Sequence, residues 1–334
     1  MDEEVFDRSD PDLEAPFDPA LGSMEQHIAA ALRKSRHRVS VVAFTADHRE
    51  LVSRVAAAKP QVVFNLVEHI GGDRRLSPHI PAMLEILRVP YTGCSAHGMA
   101  LALDKASSKR LVRDVGFNIP NFIVVPDHAV LPPGKLRFPV LVKPRFGGGS
   151  EGITLSSLVQ TQDQLHRRAR YLHRTVRQPA ICEEFVKGRE LSVAVVGNGP
   201  NVQALPVRET FFPSASSSSL APTFCTDRIK SSASYRKRWQ ISYGRAQLSA
   251  DTEARILDLC RRAFLQLRLT GYARIDLRFT EDGKLFFLEA NPNPDLNPRV
   301  FGLMAEWAGF SYEVLLSRIL DLALRRQYAS PITL

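Results

Sequence analysis

Glu289 and Asn291 close an apolar run that begins at Phe286, and in a strand residues two apart share a face. The run 272–279 alternates: Ala273, Ile275, Leu277 and Phe279 fall on one face, and Arg274, Asp276 and Arg278 fall on the other. Between them, Asp282-Gly283 predicts a hairpin with a two-residue loop, because Gly accepts positive φ. Pairing Glu281 with Lys284 then sets Asp276 opposite Glu289 and Arg274 opposite Asn291. Two carboxylates and an amide on one face suit Mg²⁺, a hard ion that takes carboxylate oxygen, water and phosphate. A surface hairpin with a polar outer face is the plain alternative. Pro292 and Pro294 favour the site, since they end the pairing and stiffen the backbone just past Asn291.

A second stretch, RFGGGSEG at 145–152, is neither a Walker loop nor a Rossmann turn. Its three consecutive glycines leave backbone N–H groups unobstructed, which suits polyphosphate, although flexible connection is the commoner use of such a loop. Lys143 ends the preceding apolar run and projects towards it. In CEEFVKGRE at 182–190, consecutive acids could face solvent, or could accept hydrogen bonds from an adenine amino group and ribose hydroxyls. With a metal-type hairpin downstream, an ATP site is the better account of all three.

The elements that must carry these groups read as α/β. Residues 1–23 hold eight acids against Arg8 and predict a poorly ordered leader, which leaves the rest of the chain at about +16. Residues 24–100 predict a parallel α/β substrate domain. It has a helix capped by Ser23 with Gln26 at the capping-box position, apolar strands at 38–44 and 61–69, and a helix at 76–89. Residues 101–184 predict a central subdomain, with a helix at 103–116 and the glycine loop joining two paired strands. Residues 185–334 predict a C-terminal catalytic domain. It holds a helix at 251–267, the hairpin and a closing helix at 312–327. The serine-rich segment at 214–219 predicts a mobile loop that closes over the site.

Composition narrows the setting. A hydrophobic content of 44% with 24% charge is that of a globular protein. No apolar run approaches a membrane span, and the acidic N-terminus is no signal peptide. Cys94, Cys182, Cys225 and Cys260 are far apart, which predicts reduced thiols in a cytoplasm. The densest basic run, 166–178, reads as one solvated helix with little aromatic interleaving, which argues against nucleic acid as a partner.

In this order, GCSAHGMALALDKASSKRLV, FPVLVKPRFGGGSEGI, CEEFVKGRELSVAV and GYARIDLRF…FFLEANPNP resemble the ATP-grasp superfamily, and within it the D-alanine–D-alanine ligase-like family. With FNLVEHIGGD the resemblance covers about 25–325. It implies a three-domain fold in which ATP lies between two antiparallel sheets. It also implies a carboxylate phosphorylated to an acylphosphate, attack by an amine, and release of ADP and phosphate. By that resemblance Lys105 and Lys143 hold phosphates, covered by Gly148, Gly149 and Ser150. Glu183 and Val186 meet adenine, Glu190 meets ribose, and Glu184 belongs to the same cofactor-binding set. Asp276, Glu289 and Asn291 bind two Mg²⁺ ions, with Mn²⁺ as an alternative. Arg274 steadies the oxyanion, and Lys230 fits the lysine of the mobile loop.

Two departures stand out. Cell-wall ligases follow the last Asn with a glycine-containing turn that receives the second amino acid's carboxylate, and here NPNPDLNPR stands instead. The usual first strand with its glycine-rich turn is also missing. Glu25 and Glu68 are left to pair with a substrate ammonium, and Asn297 and Arg299 to hold a carboxylate. The reading is an ATP-dependent carboxylate–amine ligase acting on small amino-acid-like substrates, compatible with a homodimer. An ATP-grasp modifier of a peptide or protein carboxylate and a catalytically reduced nucleotide-binding regulator are the alternatives.

Overall fold

The computed structural model describes residues 23–44, 47–126, 134–213 and 221–326. The acidic leader up to residue 22, the serine-rich segment 214–219 and the end of the closing helix lie outside the described residues. The helices are α1 (Met24–Lys34), α2 (His48–Ala58), α3 (His79–Ile86), α4 (Ala96–Leu103), α5 (Lys105–Arg113), α6 (Gln162–Thr175), α7 (Asp227–Ser231), α8 (Ala233–Arg238), α9 (Ala250–Gln266), α10 (Leu303–Trp307) and α11 (Tyr312–Leu324). The strands are β1 (Phe122–Val125), β2 (Val140–Pro144), β3 (Leu158–Val159), β4 (Ala180–Glu184), β5 (Arg189–Gly197), β6 (Gln203–Ala204), β7 (Arg208–Phe211), β8 (Ser242–Arg245), β9 (Gly271–Phe279) and β10 (Leu285–Asn291).

They form two antiparallel sheets, one ordered β1-β4-β2-β3 and the other β10-β9-β5-β7-β8, with β6 against β5. Alternation in β9 works as its sequence requires. Ala273, Ile275 and Leu277 are fully buried against Ile256, Cys260, Ala263 and Phe264 of α9. That packing leaves the opposite face of β9 for Arg274, Asp276 and Arg278. The smaller sheet buries Val140, Val142 and Cys182 against Leu165 and Leu172 of α6. Gly188 carries the chain from one sheet to the other. Its φ is +148°, and a Cβ there would lie 2.4 Å from the Phe279 carbonyl oxygen.

Four expectations need correction. The apolar runs 38–44 and 61–69 are not parallel strands; among the described residues their only ladder contact is one parallel bridge, Val63 to Tyr91. Their side chains are half-buried without a ladder: Val39, Val62, Phe64 and Leu66 pack against a cluster that includes α1, α10 and α11. The helix expected at 103–116 is broken at Asp104, whose carboxylate caps α5 at the Ala106 N–H and clasps Arg145 through two hydrogen bonds. The strand returning from the glycine loop is only Leu158–Val159, after a 3₁₀ turn at Leu155–Ser157. Finally, α6 is not wholly solvated: Leu165, Arg168, Leu172 and His173 face the sheet. Arg168 donates to the Gly152 carbonyl and to Ser157, and so pins the exit of the glycine loop.

The hairpin reaches the expected pairing by an unexpected route. The Thr280 N–H donates to the Lys284 carbonyl, and Gly283 has φ +76°, so the loop has three residues rather than two. This slips the register by one: Leu285 pairs with Phe279 and Phe287 with Leu277. A β-bulge at Leu288 then restores it, and Glu289 pairs with Asp276 and Asn291 with Arg274. The bulge also turns Phe287 into the core while Glu289 faces the other way.

Candidate active site

On its open face the larger sheet aligns functional residues in rows. One row runs Asn291, Arg274, Ala194; the next runs Glu289, Asp276, Ser192, Arg208; a third runs Arg278, Glu190, Thr210. Arg274 grips Asp276 with two hydrogen bonds of 2.7 and 2.9 Å, and Asn291 Nδ2 donates to the same carboxylate at 3.0 Å. Burial lowers the pKa of the Arg274 guanidinium, but Asp276 outweighs it and holds the group firmly cationic. Glu289 stands 3.5 Å from Lys105 Nζ. Burial raises its pKa, but Lys105, then Lys230, Lys143 and Arg274, outweigh this and hold it down at about 2. Among the described residues no cluster of three or more His, Cys, Asp or Glu could hold a metal ion. The donor set here is two carboxylates and an amide, open to a cavity, which suits an oxygen-loving ion that keeps water and phosphate as ligands.

The glycine loop lies over this face. Lys105 donates to the Gly147 carbonyl while pairing with Glu289, so one buried ammonium joins the loop to the carboxylate row. A Cβ on Gly148 would sit 2.7 Å from Asn291 Oδ1, so a side chain fits there only if Asn291 or the loop shifts. Ser150 is buried and holds φ +63°, left-handed for a residue with a side chain. Arg74 braces the loop from the N-terminal side, bonding Glu68 at 2.6 Å and Glu151 at 3.1 Å. Gly148→Ala must displace either the loop or Asn291, which Asp276 holds in place. Overpacking of this kind is expected to weaken binding of an ATP analogue by roughly five- to thirty-fold, measured by calorimetry. Unchanged affinity would show that the loop does not close on nucleotide.

Beneath the loop, Lys143 pairs with Glu183 at 3.0 Å, and Lys109 lies 3.4 Å from the same carboxylate. Lys109 is fully buried, one helical turn beyond Lys105, and donates to the carbonyls of Phe287 and Leu288, so it holds the bulge. Burial pushes its ammonium down to about 8, with Glu183 opposing. The expected lysines were Lys105 and Lys143; the i, i+4 spacing in KASSK was the available signal for Lys109.

A cavity of about 640 Å³ separates the two sheets. Of the expected phosphate residues, Lys143, Gly148, Gly149 and Ser150 line it; so do Glu183, Glu184, Val186 and Glu190 of the expected adenosine set. Arg274, Asp276, Glu289, Asn291 and Lys230 line it too. Lys105 is not on its wall but behind the loop. Glu184 also bonds Arg137, and Glu190 pairs with Arg278 at 2.8 Å. Glu68, Asn297 and Arg299 are also on the cavity wall. Glu68 is committed to Arg74, and Asn297 Oδ1 accepts from the Arg299 N–H. Glu25, expected beside a substrate ammonium, is not on the cavity wall; it sits in the first turn of α1. Asp295, which sequence reasoning passed over, does line the cavity. Burial in the cleft raises its carboxyl pKa, the Asn297 N–H lowers it, and Glu68 and Glu25 add to the rise.

Residues 111–321 match the family model described as D-ala D-ala ligase C-terminus. The chain belongs to the D-alanine–D-alanine ligase-like family. A family member of this kind is an ATP-binding, ADP-forming carbon–nitrogen ligase with the ATP-grasp fold. The chain is 32% identical to a D-alanine–D-alanine ligase of Methylibium petroleiphilum, over 72% of this chain and 73% of that one. It is 33% identical to the uncharacterized protein y4sG of Sinorhizobium fredii, over 93% of this chain and 90% of that one. The D-alanine–D-alanine ligase of Bacillus anthracis, solved in complex with ATP, superposes with a TM-score of 0.70 at 20% identity, over 91% of this chain and 94% of that one. That likeness is one of fold. No described helix is long and apolar enough to cross a membrane.

Proposed function

We propose that this ATP-grasp ligase joins an amino-acid-like carboxylate to an amine through an acylphosphate. The observation that carries this reading is a single cavity that holds Lys143 and the glycine loop on one side and Arg274, Asp276, Glu289 and Asn291 on the other. Glu183, Glu184, Val186 and Glu190 at the link between the sheets would take adenosine. Lys143, with Lys105 behind the loop, and the N–H groups of Gly148, Gly149 and Ser150 would take the phosphates. Asp276, Glu289 and Asn291 would hold two Mg²⁺ ions, which neutralise phosphate charge when bound. Arg274, released from Asp276, would face the oxyanion that forms when the amine attacks, and Lys230 would neutralise the phosphoryl group from the side of α7.

The division proposed is into segments 24–100, 101–184 and 185–334; α1 packs on α11 of the last, and α5 packs on its α9 and β10. The four cysteines are free thiols, in keeping with a cytoplasmic setting. The test is a screen of amino-acid pairs for coupled ADP and phosphate release, with mass analysis of the product. Release is expected only when a carboxylate donor and an amine are both present. Nucleotide hydrolysis indifferent to both, or product found only on protein, would overturn the reading.

A further inference from the structure

Among the described residues, one deeply buried arginine on the cavity wall has neither a counter-ion nor a hydrogen bond at its Nε. Arg208 of β7 is 7% exposed, its Nε is buried without a hydrogen-bond partner, and no ion pair among the described residues involves it. Its guanidinium stacks 4.0 Å from the ring of Tyr243. Burial first, and then the like charge of Arg274, lower its pKa, while Asp276 opposes them weakly. Every other arginine facing this part of the cavity has a partner: Arg274 has Asp276, Arg278 has Glu190, and Arg236 donates to the carbonyls of Ile229 and Lys230. A buried guanidinium left unpaired is costly, so its presence at a cavity surface calls for an anion supplied from outside.

Its place in the register identifies that anion. Arg208 lies in the same row as Glu289, Asp276 and Ser192. The row on one side carries Glu190 and Arg278; the row on the other carries Arg274 and Asn291, which lead into NPNPDL. Arg208 therefore belongs with the carboxylates that would hold metal and phosphate, not with the end that receives the substrates. We propose that Arg208 binds the terminal phosphate of ATP and holds the phosphoryl group during its transfer. In that step a carboxylate oxygen forms the new bond to γ-phosphorus as the bond from γ-phosphorus to the bridging oxygen breaks. ADP leaves with the electron pair. This assignment rests on the ATP-dependent reading above.

The test is equilibrium binding of ADP and of a non-hydrolysable β,γ-imido ATP analogue, both with Mg²⁺, to wild type, Arg208→Met and Arg208→Lys. Arg208→Met is expected to bind the imido analogue roughly ten- to hundred-fold more weakly, to keep its ADP affinity, and to be at least as thermally stable without ligand as wild type. Arg208→Lys should fall between the two. Equal loss for both nucleotides, or none for either, would overturn the assignment while leaving the ATP reading intact. A fall in ligand-free stability with nucleotide affinities unchanged would mark Arg208 as structural and overturn it as well. A wild-type protein that binds neither nucleotide would overturn both readings.

Discussion

Glu289→Gln is expected to lower Mg²⁺-dependent ATP turnover by roughly 10³-fold, in line with loss of a fixed charge at a phosphoryl-transfer site. It should unfold at a lower temperature than wild type, because Lys105 loses its counter-ion, but above Glu289→Ala, because the amide still fills the space opposite Asp276. Glu289→Ala should lose turnover and stability together. Its partner Lys105 is only 4% exposed, and without Glu289 that ammonium keeps the Gly147 carbonyl but no anion in contact. Breaking a buried ion pair from one side costs about 3 kcal/mol or more. The two variants therefore separate the chemical role from the structural one, read by steady-state ADP release and by thermal unfolding. The pH dependence gives a further check. Glu289 titrates normally near 4.5 and is held at about 2 in the folded chain, so its contribution to stability is fully present above pH 4.5 and is lost as pH falls towards 2. Glu289→Gln should flatten acid destabilisation across that window. Turnover within ten-fold of wild type in Glu289→Gln would remove Glu289 from the metal set.

The facing of Asp276 and Glu289 was legible from alternation and a turn signal, yet two local errors cancelled in reaching it. A three-residue loop moved the strand by one position, and the bulge at Leu288 moved it back. The turn dipeptide could not report a bulge five residues away, because the bulge is held from outside the hairpin by Lys109. The same limit explains the N-terminal runs. Val62, Phe64 and Leu66 read as strand because they are apolar and β-branched or aromatic in part. Burial against helices consumes that surface without a ladder. Arg208 was invisible for a related reason: within LPVRET it is an ordinary strand arginine, and its lack of an ion-pair partner among the described residues appears only when four strands are aligned. Glu25 lies off the cavity wall in the first turn of α1, yet its charge bears on the Asp295 carboxyl that lines the cavity, a placement that residue type alone could not report.

D-Alanine is expected to be a poor acceptor, with kcat/KM at least about 10²-fold below that of the best amine. The reason lies in the backbone donors after Asn291. Pro292, Pro294 and Pro298 have no N–H. The Leu296 N–H goes to the Met24 sulfur at 3.2 Å, the Asn297 N–H to Asp295 Oδ1 at 2.8 Å, and the Arg299 N–H to Asn297 Oδ1 at 2.9 Å. The Asn293 side chain is also engaged, bonding the Tyr272 hydroxyl at 2.9 Å and the Val67 carbonyl at 3.3 Å. A carboxylate arriving here would meet few free donors, and it would meet the Asp295 carboxylate on the cavity wall. Repulsion and an unsatisfied anion act in the transition state as well as in the ground state, so the loss should appear in kcat/KM and not only in KM. An acceptor whose carboxylate is amidated or absent avoids both costs. With any donor that supports ADP release, D-alaninamide should therefore outperform D-alanine as acceptor, a ranking that initial rates and product masses can decide. Efficient turnover on D-alanine alone, with D-alanyl-D-alanine as the main product, would show that Arg299 or another group supplies the anion site this backbone withholds.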